Sequence, residues 1–153
     1  MKPEKGDIFT IPLIDGDFAL GQLIQYDTRG LAGYSFGLFD HKVSSNIEAQ
    51  EIILNMENCF SVVLGAIDCF SKSSNWMVVG NQNLVIPKKL FPFEKLRRSK
   101  KPGSRLHGKE VIDEFVNAYY GLLPWDNYYK PDCLDEMLLS PEKKPKNLLY
   151  GKK

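Results

Sequence analysis

At 153 residues, 43% hydrophobic and 25% charged, the chain has the length and balance of one ordinary soluble domain, not of a disordered polymer. Its longest apolar run, Val62 to Leu64 continuing to Ala66 and Ile67, is broken by Gly65 and ended by Asp68, far short of the roughly 20 residues a membrane span needs. The net charge of +1 conceals an asymmetry, because residues 1–90 carry a net −3 and residues 91–153 a net +4.

Asp7 to Leu13 reads as a strand, with Ile8, Thr10 and Pro12 on one face and Phe9, Ile11 and Leu13 on the other. Pro12 argues for an edge or a strand end, since proline donates nothing to a ladder. Asp15-Gly16 is a short-range hairpin signal, and Phe18 to Tyr26 is the returning strand. Gly21 in its middle points to a bulge or a close backbone approach. Asp27 to Gly30 is a loop, and Ala32 to Phe39 is a third strand with Tyr34, Phe36 and Leu38 on one face. His41 to Asn46 reads as a polar loop. Glu48 to Leu54 fits strand or helix and is read as a short strand. Phe60 to Asp68 is the most apolar segment and the expected central strand. Trp76 to Val79 and Leu84 to Ile86 form two short strands around residues 80–83, ended by Pro87.

Composition then changes. Residues 88–108 read as an extended connection in which Lys95, Arg97, Arg98, Lys100, Lys101, Arg105 and the following Lys109 face a single acid, Glu94. Lys109 to Leu122 is a helix. Val111, Ile112, Phe115, Val116 and Tyr119 follow an amphipathic stripe, and Glu110, Asp113 and Glu114 suit the positive end of its dipole. Gly121 and Pro124 stop it. Asp132 to Leu139 is a second, short helix, and the Lys- and Pro-rich residues 141–153 are expected to fray. The N-terminus has no apolar core, so no secretory signal is expected. If Phe60 to Phe70 is one strand, Cys59 and Cys69 lie about 33 Å apart, beyond disulfide reach. With Cys133 they make an odd set of reduced thiols and point to the cytoplasm.

Chemical signatures are few. His41 and His107 have no ligand-spaced partner, so neither metal nor cofactor is expected. Gly33 to Gly37 spaces glycines around Ser35 but lacks the helix a nucleophile elbow requires. The thiols sit beside apolar residues, as structural cysteines do. Asp15, Asp17, Asp27 and Asp40 border turns and strand ends. Turn chemistry accounts for all four, and the functional alternative is an acidic surface at one end of the β domain that meets a basic partner. The basic run from Lys95 to Lys109 invites a nucleic-acid reading. It lacks interleaved aromatics for base stacking, so a solvated loop is the competing reading. Tyr119, Tyr120, Trp125, Tyr128 and Tyr129 divide between packing and partner contact.

Lys5-Gly6-Asp7-Ile8-Phe9-Thr10-Ile11-Pro12-Leu13, Asp15-Gly16, Phe18-Ala19-Leu20-Gly21-Gln22, the strand Tyr34 to Asp40, Phe60-Ser61-Val62 and Trp76-Met77-Val78-Val79-Gly80 occur in that order across about residues 5–93. In this order they resemble the immunity protein 26 family of bacterial polymorphic toxin systems. The resemblance implies a mostly β domain that binds and neutralises a cognate toxin without catalysis, and it carries no shared catalytic motif. The resulting expectation is one α+β domain. Residues 1–86 form a curved, SH3-like, mostly antiparallel sheet or half-barrel, residues 87–108 a basic connection, and residues 109–140 a helical part that backs the sheet. The expected partner is the toxin, a basic nuclease for instance. Asp15, Asp17, Asp27 and Asp40 form the candidate contact, with Trp125, Tyr128 and Tyr129 as a second patch. The alternatives are a nucleic-acid-binding module using Lys95, Arg97, Arg98, Lys100, Lys101 and Arg105, or a small hydrolase or ribonuclease.

Overall fold

Alternation in the first two strands sends apolar side chains to both faces, and both faces are covered. The computed structural model describes residues 3–27, 33–91, 106–126 and 133–151. Its centre is a sheet with strands β1 (Asp7–Pro12), β2 (Phe18–Asp27), β3 (Gly33–Val43), β4 (Cys59–Gly65), β5 (Met77–Asn81) and β6 (Leu106–His107). Their spatial order is β5-β1-β2-β3-β4-β6. Every described pairing is antiparallel except β4 with β6. The class is therefore α+β with a mostly antiparallel sheet, as expected, and the sheet stays open.

On one face, Phe9, Ile11, Leu23, Tyr34, Phe36, Leu38 and Phe60 pack against the helix α2 (Lys109–Tyr119) through Ile112, Phe115, Val116 and Tyr119. Tyr119 stacks on Phe60 with ring centroids 3.7 Å apart. Phe9 lies parallel to Trp76 at 5.5 Å and edge-on to Phe36 at 5.1 Å and Phe70 at 5.0 Å. Gly121, at φ +74°, ends α2. Its N–H donates to Ala118 O and the Leu122 N–H donates to Asn117 O, the paired closure that favours glycine at this position.

The other face is covered as well. Ile8, Leu20, Ile24, Phe39, Val43, Cys59 and Ile86 form a second core under the short helix α1 (Asn46–Gln50) and residues 84–91. Period-two alternation crosses the sheet cleanly until a bulge intervenes. Leu20 and Ile24 serve one core and Leu23 the other. The register shift between Leu23 and Gln25 then turns Tyr26 to the face of Leu23.

Several boundaries move for identifiable reasons. β3 runs on to Val43, through the expected His41–Asn46 loop, because a register shift between Ala19 and Leu20 lets Lys42 pair with Ala19. The expected strand over Glu48 to Leu54 instead begins inside α1, and residues 51–54 follow it as irregular backbone. The Ser45 hydroxyl accepts from Glu48 N, and Glu48 Oε2 accepts from Ser44 N and Oγ, a capping arrangement that outweighs strand propensity. The strand read over Phe60 to Asp68 stops at Gly65, and a single 3-10 turn over Ile67–Phe70 follows. Leu84 to Ile86 is not a strand, because the fully buried Gln22 side chain takes up the backbone there. Its Nε2 donates to Gln82 O at 3.0 Å and Asn83 O at 3.1 Å, and its Oε1 accepts from Val85 N at 3.2 Å. The described part of the expected helix over Asp132 to Leu139 is a single 3-10 turn, Asp135–Met137. The tail expected to fray is docked through Gly151. Trp125 N donates to Leu149 O at 2.8 Å, Gly151 N donates to Asp126 Oδ1 at 2.8 Å, and Lys144 pairs with Asp135 at 2.8 Å.

Candidate functional site

The β1–β2 hairpin turn, the outgoing half of β3 and the C-terminal end of α2 meet at one end of the sheet. Three of the four candidate carboxylates lie there. Asp15 and Asp17 sit in the turn, where Asp17 N donates to Asp15 Oδ1, as short acidic side chains do at turns. The Lys42 ammonium, brought alongside by the Ala19–Lys42 pairing, lies 2.6 Å from Asp15 and 3.6 Å from Asp17. It holds the Asp15 carboxyl below its ordinary value, and that carboxylate in turn raises the lysine. Both groups are solvent-accessible, so this is a screened surface pair rather than a buried clamp.

Asp40 is exposed on β3 beside the phenols of Tyr119 and Tyr120. Burial, and then the Asp40 carboxylate, push both phenols well above the ordinary tyrosine range. Tyr120 links the two halves of this end, because its hydroxyl donates to Phe39 O and its ring lies 6.0 Å under the Lys42 ammonium. The result is a surface with three carboxylates and one ammonium set on a rigid sheet end. Lys42 is the member that sequence reasoning missed, whereas Tyr120 stands among the aromatics it named. The signal available for Lys42 was its pairing opposite Ala19, which becomes visible only once β3 is extended past Phe39.

Asp27 does not belong to this end. Its backbone closes β2 opposite Gly33. It stands a full 10-residue strand from the turn, roughly 30 Å at the usual rise. The four acids thus form no single surface. Trp125 is 1% exposed and is a core residue, its Nε1 donating to Asp135 Oδ1. Its ring carries the Lys144 ammonium at 5.9 Å. Packing therefore accounts for the tryptophan of the second patch, whereas Tyr128 and Tyr129 lie outside the described residues. Lys95, Arg97, Arg98, Lys100, Lys101 and Arg105 lie outside them as well. Lys109, at the start of α2, is engaged within the fold: it pairs with Asp113 at 2.6 Å, while Asp113 also accepts from Trp76 Nε1.

Nucleophiles and ligands are arranged for structure. Ser35 is fully buried with its hydroxyl on Gln25 O. Burial pushes the Cys59 thiol up to about 11 and the Cys69 thiol up to about 12, so neither forms a thiolate readily. His41 Nε2 lies 3.3 Å from the Asn58 amide. Among the described residues no group of three or more His, Cys, Asp or Glu side chains could hold a metal ion. No described helix is long and apolar enough to cross a membrane.

The family model described as Immunity protein 26 matches residues 4–104. No curated protein matches the chain, and no solved structure does. The match takes in β1 to β5 and stops short of β6 and α2. It overlaps the segment, residues 5–93, whose order of strands and turns carries the resemblance in the sequence. A match over well more than half of the chain shows kinship, and the chain belongs to the immunity protein 26 family.

Proposed function

We propose that this immunity protein neutralises a cognate toxin of a polymorphic toxin system by binding it one to one in the cytoplasm, with no chemistry of its own. The family match across five of the sheet strands carries the reading. Inhibition by contact requires only that the bound chain cover the toxin's active site or substrate path. An interface of about 1,600 Å² with a few desolvated anchors is enough. Asp15, Asp17 and Asp40 are the proposed charged contacts. Their excess over Lys42 suits a basic toxin such as a nuclease, and charge of this kind speeds encounter and rejects wrong partners. Tyr128 and Tyr129 remain proposed for a second patch.

The test is co-expression with the toxin encoded by the neighbouring reading frame, followed by mixing of the purified proteins. Protection of the cell and a 1:1 complex by light scattering are expected. Reversing Asp15 and Asp40 to Lys slows association about tenfold at low salt, an effect that shrinks as salt rises. Protection by trace amounts of the chain, with a chemically altered toxin and no complex, refutes the proposal.

A further inference from the structure

From the acidic end, where Val43 pairs with Phe18, residues 46–54 run on beside β5 and are tied at one end to β1 and β5 and at the other to Gln82, the residue that follows β5. At the start, Thr10 Oγ1 donates to Asn46 Oδ1 at 2.8 Å, and Asn46 Nδ2 lies 3.2 Å from Met77 Sδ. At the far end the Gln82 side chain holds the backbone on either side of Ile53. Its Nε2 donates to Ile52 O at 2.6 Å and its Oε1 accepts from Leu54 N at 3.0 Å. Ile53 is nevertheless 84% exposed, Ile47 on α1 is 71% exposed and Met77 on β5 is 53% exposed. Single exposed apolar residues are commonplace. What sets these apart is that each is displayed from a backbone already fixed: by the Gln82 amide, by the Ser44–Ser45–Glu48 cap, and by the β1–β5 ladder. A segment so held has little backbone freedom left to lose when a partner covers it.

The strip's own charges are acidic, and the one ammonium bonded to the segment, Lys143 on Glu57 O at 2.7 Å, lies at its far end. Residues 43–58 carry Glu48, Glu51 and Glu57 and no Lys or Arg, and residues 76–83 carry no charge. At the Asn81 end, where Asn81 Nδ2 donates to Lys5 O and Asp7 Oδ1, Lys5 is flanked by Glu4 and Asp7. Two copies of this chain apposed through the strip would bring one acidic set against an identical one, and like charges placed together oppose association. A basic protein with apolar pockets meets no such penalty.

We propose that Ile47, Ile53 and Met77, set among Glu48 and Glu51, form the anchoring surface for the basic toxin. The apolar side chains enter its pockets and the carboxylates meet its cations. This inference rests on the toxin-binding reading above and assigns it a surface on the α1 flank of the sheet.

The experiment uses the full chain and a catalytically inactive toxin from the neighbouring reading frame. Ile53→Ser, Ile47→Ser and Glu51→Lys are compared with wild type by kinetic binding measurements, with far-UV circular dichroism as the check on folding. The two serine variants are expected to weaken binding about tenfold or more, through faster dissociation. Glu51→Lys is expected to slow association in a salt-dependent way. Gln82→Ala keeps Ile53 but frees its backbone, and is expected to weaken binding by less than Ile53→Ser. Undiminished affinity in all the folded variants overturns this surface and leaves the toxin-binding reading standing. Absence of any complex with wild type overturns both. A dimer of the free chain that Ile53→Ser dissolves also overturns the proposal, because the strip would then be an interface between copies.

Discussion

Gly21→Ala is expected to cost about 2 kcal/mol of stability. A Cβ at residue 21 would lie 2.4 Å from Phe9 Cζ and within 2.9 Å of Cε1 and Cε2. Carbon atoms prefer about 3.5 Å or more, so the ring or the strand must give by about 1 Å. The ring has nowhere to go. Phe9 is fully buried, and Phe36, Phe70 and Trp76 surround it with centroids 5.1, 5.0 and 5.5 Å away. Overpacking costs roughly 1–3 kcal/mol, and a ring with no room to move sets the cost here at about 3. Alanine returns about 0.5–1 kcal/mol through the lower entropy of the unfolded chain. With a urea slope of roughly 1–3 kcal/mol per molar, the unfolding midpoint should fall by about 1 M. Phe9→Leu, which shortens the ring side, should be damaging alone and much less so beside Gly21→Ala, with a coupling of about 1 kcal/mol or more. A midpoint within about 0.2 M of wild type for Gly21→Ala, or strict additivity in the cycle, would refute the close-approach argument.

Other consequences follow from the same packing. Cys59 and Cys69 are buried with raised thiol pKa values, whereas Cys133 is partly exposed. An aromatic disulfide reagent at pH 8 should therefore titrate Cys133 first and reach the other two only as the chain unfolds. Because Lys42 lowers the Asp15 pKa from its ordinary 3.8, the pair's stabilisation is in place above that value. It fades as pH falls through the lower native value. Asp15→Asn should thus flatten the acid side of a stability–pH curve measured by urea unfolding, and an unchanged slope below pH 4 would count against the pairing. Removing residues 141–153 deletes the Lys144–Asp135 pair and the bonds to Trp125 N and Asp126. A loss of about 2 kcal/mol and a red-shifted tryptophan emission are expected. Unaltered emission would mean that Leu149 and its neighbours do not shield Trp125.

Within the sequence, period-two alternation was enough to locate β1, β2 and most of β3. The Ile112, Phe115, Val116 and Tyr119 stripe located α2, because one buried face is written directly into residue spacing. The family was legible for the same reason, since its pattern is the order of those strands and turns. What residue spacing could not supply was anything decided by a distant partner. Glu48 to Leu54 is the exception, because the cap closed by Ser44, Ser45 and Glu48 is local and its Ser-x-x-Glu spacing stands in the sequence. Leu84 to Ile86 looked like a strand until the Gln22 amide occupied its backbone from across the second core.

Charges that look alike in sequence part company once folded. Asp15 and Asp17 share Lys42, Asp40 faces two tyrosines, and Asp27 lies at the opposite end of the same strand pair. Nor does the sequence around Ile53 show that its backbone is fixed, because what fixes it is Gln82, 28 residues from Leu54 along the chain. Local preference and periodicity thus determined β1, β2, most of β3 and α2 on their own. Which polar groups meet, and which apolar groups stay outside, was settled by register shifts and long-range hydrogen bonds that exist only after the sheet has formed.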